Sequence, residues 1–354
     1  MMKRLSTIIT VGLFSIPVIA DSGPSAYHHA PIGVMGDHLH KKGELMFSYR
    51  YIYMDMDGNR IGENSVTPQE IVSTVPNSFA STSGQPATLR AVPTSMRMEM
   101  HMYGAMYAPT DNVTLMVVGS YNEREMDHVT FQGSTGTNVL GKFTTRSSGF
   151  GDTKVAGLIK LYDNGRHKLH LNAGISIPTG SITEEDEILT PAGGRAIVRL
   201  PYPMQLGSGT WDLEPGITYG GFSSGWGWGV QARANIRLGE NSEDYRLGDR
   251  YEGTAWISYL FSNSISSSFR IKGITQDRID GRDPRILGPV QTAQTEFQGG
   301  DRVDLLWGVN FFGTEGFLNG HRLAIEAGFP VYQDLNGPQL ETKFSLSGGW
   351  QKIF

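Results

Sequence analysis

The sequence predicts an all-β protein, a transmembrane, antiparallel, up-and-down β-barrel of about 12 strands, and three observations carry that expectation. Apolar and polar residues alternate with period two over most of the chain, the pattern of strands with one apolar face. The connections between those stretches alternate short and long, as a barrel with tight turns at one rim and loops at the other requires. The composition is 39% hydrophobic and 18% charged, with 45 Gly. It cannot supply several apolar runs of about 20 residues, which excludes a helical membrane bundle, yet it is too rich in Met and aromatics for a disordered chain.

Taken in order, Lys3 and Arg4 precede an apolar stretch from Leu5 to Ile19 that ends Val18-Ile19-Ala20 before Asp21. Residues 1–20 read as a cleaved signal peptide; the stretch is short for a membrane anchor and contains Pro17. The expected location is the outer membrane of a Gram-negative bacterium. With Cys at zero, disulfides, thiol nucleophiles and thiolate zinc sites are excluded. A balance of 30 basic against 35 acidic residues, with no basic block, argues against nucleic acid. The expected partners are outer-membrane lipids and a small-molecule solute. Residues 21–42 form a His-rich segment, and 43–354 the barrel.

The first strand sets Leu45, Phe47, Tyr49, Tyr51 and Tyr53 against Glu44, Ser48 and Arg50. The second sets Met96, Met98, Met100, Met102 and Met106 against Arg97, Glu99 and His101. Similar stretches follow at 113–124, 152–161, 169–177, 211–219 and 226–238, with weaker ones at 251–262, 265–276, 301–312 and 321–332, and a last at 339–354. Long loops are expected near 57–95, 128–148, 181–206, 239–250 and 277–300, rich in Gly, Pro, Ser, Thr and Asn as surface segments are. Aromatics at strand ends (Tyr103, Tyr107, Trp226, Trp228, Trp350) read as interfacial girdles. Phe354 closes an amphipathic strand, the form of segment through which the barrel-assembly machinery is expected to recognise such chains, although Lys352 stands where an aromatic residue is often found.

Placing the polar face of each strand inside makes Arg50, Arg97, Glu99, His101, Asp152, Lys154, Arg233, Arg270 and Glu326 the expected lumen and solute path, and turns the Met96–Met102 stripe to lipid. Residues 30–36 read as an apolar stopper within reach of the lumen. No Asn-His-Ser arrangement falls at the lipid-facing rim and no phosphate-cradling loop is present, so an enzyme, a lipid-modifying one included, is not expected. Nor is a cofactor. An alternative reading is a copper-handling barrel, with His38 and His40 alternating on one side of an extended segment and Met54, Met56, Met126 and His128 beside Asp55, Asp57 and Asp127.

Three motifs carry a resemblance. Gly149-Phe150-Gly151-Asp152, Gly174-Ile175-Ser176-Ile177-Pro178-Thr179-Gly180-Ser181 and Gly207-Ser208-Gly209-Thr210-Trp211-Asp212 resemble the outer-membrane β-barrel family of the meta-pathway phenol-degradation type. The stretches Ala30 to Tyr53 and Met98 to Pro109 look like a His- and Met-rich subgroup of it. Its members are regarded as transporters of hydrophobic compounds, so the resemblance implies a barrel and passage of a small, hydrophobic or aromatic solute.

Overall fold

In the computed structural model, which describes residues 29–82 and 84–354, the first strand and the last lie side by side. β1 (Leu45–Gly62) pairs antiparallel with the segment 335–353, Met46 opposite Ile353, and the sheet closes on itself. The expected signal peptide, 1–20, and the first residues of the His-rich segment, 21–28, lie outside the described residues.

The wall continues through β2 (Ala91–Thr110), β3 (Val113–Phe131), β4 (Val139–Phe150), β5 (Thr153–Asp163), β6 (His167–Ile177), β7 (Trp211–Ser223), β8 (Trp226–Leu238), β9 (Arg250–Ser262), β10 (Ile265–Gln276), β11 (Gly300–Phe312) and β12 (His321–Ile353). Apart from β4, these strands follow one another round the sheet in chain order, each antiparallel to its neighbour. β4 and β5 both pair with β3, along its upper and lower parts respectively, so together they make one stave broken at Gly151-Asp152. β12 makes two. Residues 322–335 pair with β11 and 335–353 with β1, and bonds from Trp350 to His321, Arg322 to Gln351 and Thr342 to Gln333 tie its two arms together. Counted this way the barrel has twelve staves, as the periodicity predicts.

The connections after β2, β5, β7, β9 and β11, two to eight residues long, make one rim, and residue 43 joins it through Gly43 N to Ala108 O at 2.8 Å. The loop expected at 128–148 is corrected: β3 runs on to Phe131 and most of the remainder is β4. Its Thr, Ser and Gly residues mute the alternation. At the long-loop rim, a helix (Pro68–Thr74) with a Thr67 capping box packs Ile71 and Val72 on Leu89, Val92, Val129 and Phe131. Phe79, Tyr202, Tyr245, Ile279, Ile286 and Ala293, drawn from four loops, form a second apolar cluster. A buried ion pair, Arg199 to Asp283 at 3.0 Å, cross-links two of those loops. The mouth is therefore roofed by loops with a core of their own.

Strand length decides what the outer face meets. β1, β2 and β3 have 18, 20 and 19 residues, whereas β9, β10 and β11 have 13, 12 and 13. At a tilt near 45°, 20 residues rise roughly 45 Å and 13 roughly 30 Å, against an apolar band about 25 Å tall. The short strands expose Ile257, Phe269, Ile271, Leu305 and Trp307 along their outer face. The long strands do so only in their lower part, at Phe47, Tyr103, Tyr107, Leu115 and Val117. Above it Arg97 of β2 and Glu125 of β3 form an exposed ion-pair row with Arg146 of the adjoining β4.

Candidate functional site

Residues 29–43 run through the inside of the barrel and are bonded to its wall from several sides. Ala30 O accepts from Arg322 on β12, and Gly33 N donates to Glu326 Oε2 at 2.9 Å. Met35 O accepts from Gln231 Nε2 on β8 at 2.9 Å. On β6, His170 Nε2 and Asn172 Nδ2 lie 2.9 and 3.2 Å from Gly36 O. His40 N donates to Thr114 Oγ1 on β3 at 3.0 Å. Ile32 and Val34 are 1% and 2% exposed, buried among these polar anchors. Gly33 has a reason to be glycine: a Cβ there would sit 2.3 Å from Arg270 Nη2.

The wall around this segment is ionic on one side. Arg270 meets Glu326 in a two-pronged pair, Nε to Oε1 at 2.7 Å and Nη2 to Oε2 at 2.9 Å, with both side chains buried. Such a pair is costly to break singly, because the survivor is left charged and dry. Lys272 and Arg302 share Asp304, Lys154 and Arg233 share Glu214, and Arg237 pairs with Asp212. The other side is thioether. Met46, Met102, Met106 and Met116, from β1, β2 and β3, line a narrow gap against Met35 and Asp37 of the segment. Between the segment and the loop roof lies a cavity of about 460 Å³, walled by Ile52, Met100 and Met102 on one side and by Lys154, Glu214 and Arg233 on the other.

Asp152 lines the same cavity and has a second duty. Its Oδ1 accepts from Gly180 N at 2.9 Å and its Oδ2 from Ser208 N at 2.8 Å. A Cβ on Gly180 would lie 2.7 Å from Gly207 Cα. The three motifs that carry the family resemblance thus converge on one latch, in which a carboxylate from the wall pins both ends of the 178–210 loop where its backbone crosses itself.

Arg50 is buried in the lumen; its Nε and Nη1 have no partner among the described residues. Lys154, Arg233, Arg270 and Glu326 are lumenal, as described. Arg97, Glu99 and His101 are not, and here the reading is corrected. They share the outward side of β2 with exposed Tyr103 and Tyr107; Glu99 accepts from Tyr51 at 2.7 Å and His101 bonds Tyr49 at 2.8 Å. The methionines opposite them face inward. The physical reason is height: above the bilayer the outer face meets water, so a polar face no longer marks the lumen.

Of the metal candidates, His38 and His40 lie on the lumenal segment. Met54 and Met56 sit on the inward side of β1, and Met56 packs with Met96, Met126, Leu200 and Met204 under the loop roof. His128 is buried and stacks on Phe143, ring centroids 4.5 Å apart. Asp127 points the other way, accepting from Ser95 and Thr144 on the outer face. The pleat separates these carboxylates from the thioethers, so the rim residues form no mixed cluster. Arg322 is buried inside, on the side of its strand that the alternation turns to the lumen; Asp37 is a lumenal residue outside the strands that periodicity did not single out, and the adjacency Asp37-His38 was the available signal. Burial alone would raise the Asp37 carboxyl, but His38 and then Arg322 beside it hold it well below the ordinary carboxylate range.

No family model matches the chain, and no curated protein matches it. Among solved structures it is similar to the COG4313 outer membrane channel from Pseudomonas putida F1, at 14% identity and a TM-score of 0.57, over 91% of this chain and 99% of that one. It also aligns with the Pseudomonas putida toluene transporter TodX, at 9% identity and a TM-score of 0.45, over 88% and 90% of the two chains. The likeness to the first establishes the architecture, an outer-membrane-type β-barrel.

Proposed function

We propose that this chain is an outer-membrane channel for a small solute, with residues 29–43 as a stopper in its lumen. The observation that carries the reading is the bonding of that segment to Arg322, Glu326, Gln231, Asn172 and Thr114 on opposite sides of the wall. A barrel of twelve strands encloses more space than its own side chains fill, and here a peptide takes up that space. The cavity above the stopper, half thioether and half charged, suits a small solute with an apolar body and a polar edge. The family resemblance adds a hydrophobic or aromatic compound to the same reading.

Conductance across planar bilayers tests this. Full-length protein is expected to conduct little, and removal of residues 29–40 to raise conductance severalfold. In the opened barrel, Arg233→Ala is expected to shift selectivity towards cations. A large, steady conductance in the full chain that is unchanged by the deletion would overturn the stopper, and no passage of ions or aromatic solute in either form would overturn the channel.

A further inference from the structure

We propose that the lumenal segment also carries a copper(I) site, made by His29, Asp37 and His38 with His40 at its edge and approached along the thioether wall. The ligand atoms of His29, Asp37 and His38 all lie within 4.8 Å of one another. The His38 ring is 4.7 Å from that of His29 and 4.8 Å from that of His40, centroid to centroid. An ion about 2 Å from each of four donors needs them roughly 3.3 Å apart, so binding would draw atoms now within 4.8 Å of one another closer together. His38 Nε2 and His40 Nε2 are buried and have no hydrogen-bond partner among the described residues. A buried polar atom left so is costly, and a bound ion would use both lone pairs.

Charge and softness select the ion. Asp37 is the one carboxylate in the group, its Oδ1 2.9 Å from His38 Nδ1, and Arg322 lies close enough to act on it electrostatically. Beside an arginine, a singly charged ion costs less than a doubly charged one. Thioethers prefer copper(I) to zinc, magnesium or calcium. They form a graded series down the inner wall: Met56, Met96, Met126 and Met204 under the roof, Met100 and Met102 in the cavity, then Met46, Met106 and Met116 in the gap that reaches Asp37. Unbranched methionines also serve as ordinary gap-fillers in a core. The difference is experimental.

The test uses the purified full-length barrel in detergent, copper(I) held by a chromophoric chelator under reductant, and zinc(II) as the hard comparison. Wild type is expected to withdraw one equivalent of copper(I). A His29→Ala and His38→Ala double variant, judged folded by its heat-modifiable gel mobility, is expected to weaken that equivalent at least about tenfold. Met46→Leu with Met106→Leu is expected to slow copper loading severalfold and leave zinc binding unchanged. No copper uptake by wild type, or undiminished affinity in the histidine variant, would overturn the site; unchanged loading in the methionine variant would overturn the path. Should the histidine variant fail to fold, X-ray absorption of the wild-type ion decides, with imidazole nitrogen scatterers supporting the site and their absence overturning it. Bilayer conductance of the same samples reports on the channel separately.

Discussion

The two sides of this barrel solve one problem differently. β9, β10 and β11 are cut to the height of a bilayer, with lipid-facing Ile257, Ile271 and Leu305 outside and Arg270, Lys272 and Asp304 within. β1, β2 and β3 overshoot it, carry charge on the outside of their upper half, and line the interior with methionine. Both sides alternate with the same period. The comparison teaches that alternation reports a difference between faces without saying which face is the lumen; the sign depends on whether lipid or water lies outside at that height.

Removing one partner of the ionic side should have the largest effect. Glu326→Ala strands the buried Arg270 and withdraws the acceptor of Gly33 N, and is expected to cost about 3–5 kcal/mol in urea unfolding from vesicles. A cost under about 1 kcal/mol would mean that water reaches Arg270, and the contrast with a dry lumen would fall. Next comes a paired substitution that asks directly which face is which. Ile271→Arg, on the outer face of β10, is expected to cost about 2–4 kcal/mol. Met100→Arg, opening onto the cavity whose opposite wall holds Glu214, is expected to cost at least about 2 kcal/mol less. Equal costs would return the methionine stripe to lipid. A smaller effect is predicted for Met102→Leu, under about 1.5 kcal/mol, measured in the same way. The smallest belongs to Glu99→Gln, on the protruding outer face, within about 0.5 kcal/mol of wild type; a loss beyond that would give its bond to Tyr51 a structural role that exposed pairs rarely have.

Much of the architecture was legible. Strands stood out wherever period two combined with strong contrast, as in 226–238, and the short and long connections gave the rims. β4 was hidden because Thr144, Thr145, Ser147 and Ser148 contrast little between its faces. The site was legible in part. Arg270 and Glu326 could each be placed inward from the alternation, but their pairing joins residues 56 positions apart, a distance across which no local pattern reaches. Arg97, Glu99 and His101 were misplaced because the extent of β2 beyond the bilayer follows from the whole sheet. The Gly180–Gly207 crossing showed in sequence only as two glycine-rich motifs; that they meet over Asp152 is a property of the closed loop.

The pairing of Met46 with Ile353 also sets an order of events. The two strands that seal the wall are roughly three hundred residues apart in the chain, so β1 has no permanent neighbour on that side until nearly everything after it is in place. An unsatisfied strand edge of this length invites pairing with other chains, and contacts so distant in sequence form slowly. Each molecule must therefore spend its longest assembly interval with one edge open, and the time β1 stays unpaired, more than the stability of the finished wall, sets the yield of sealed barrels.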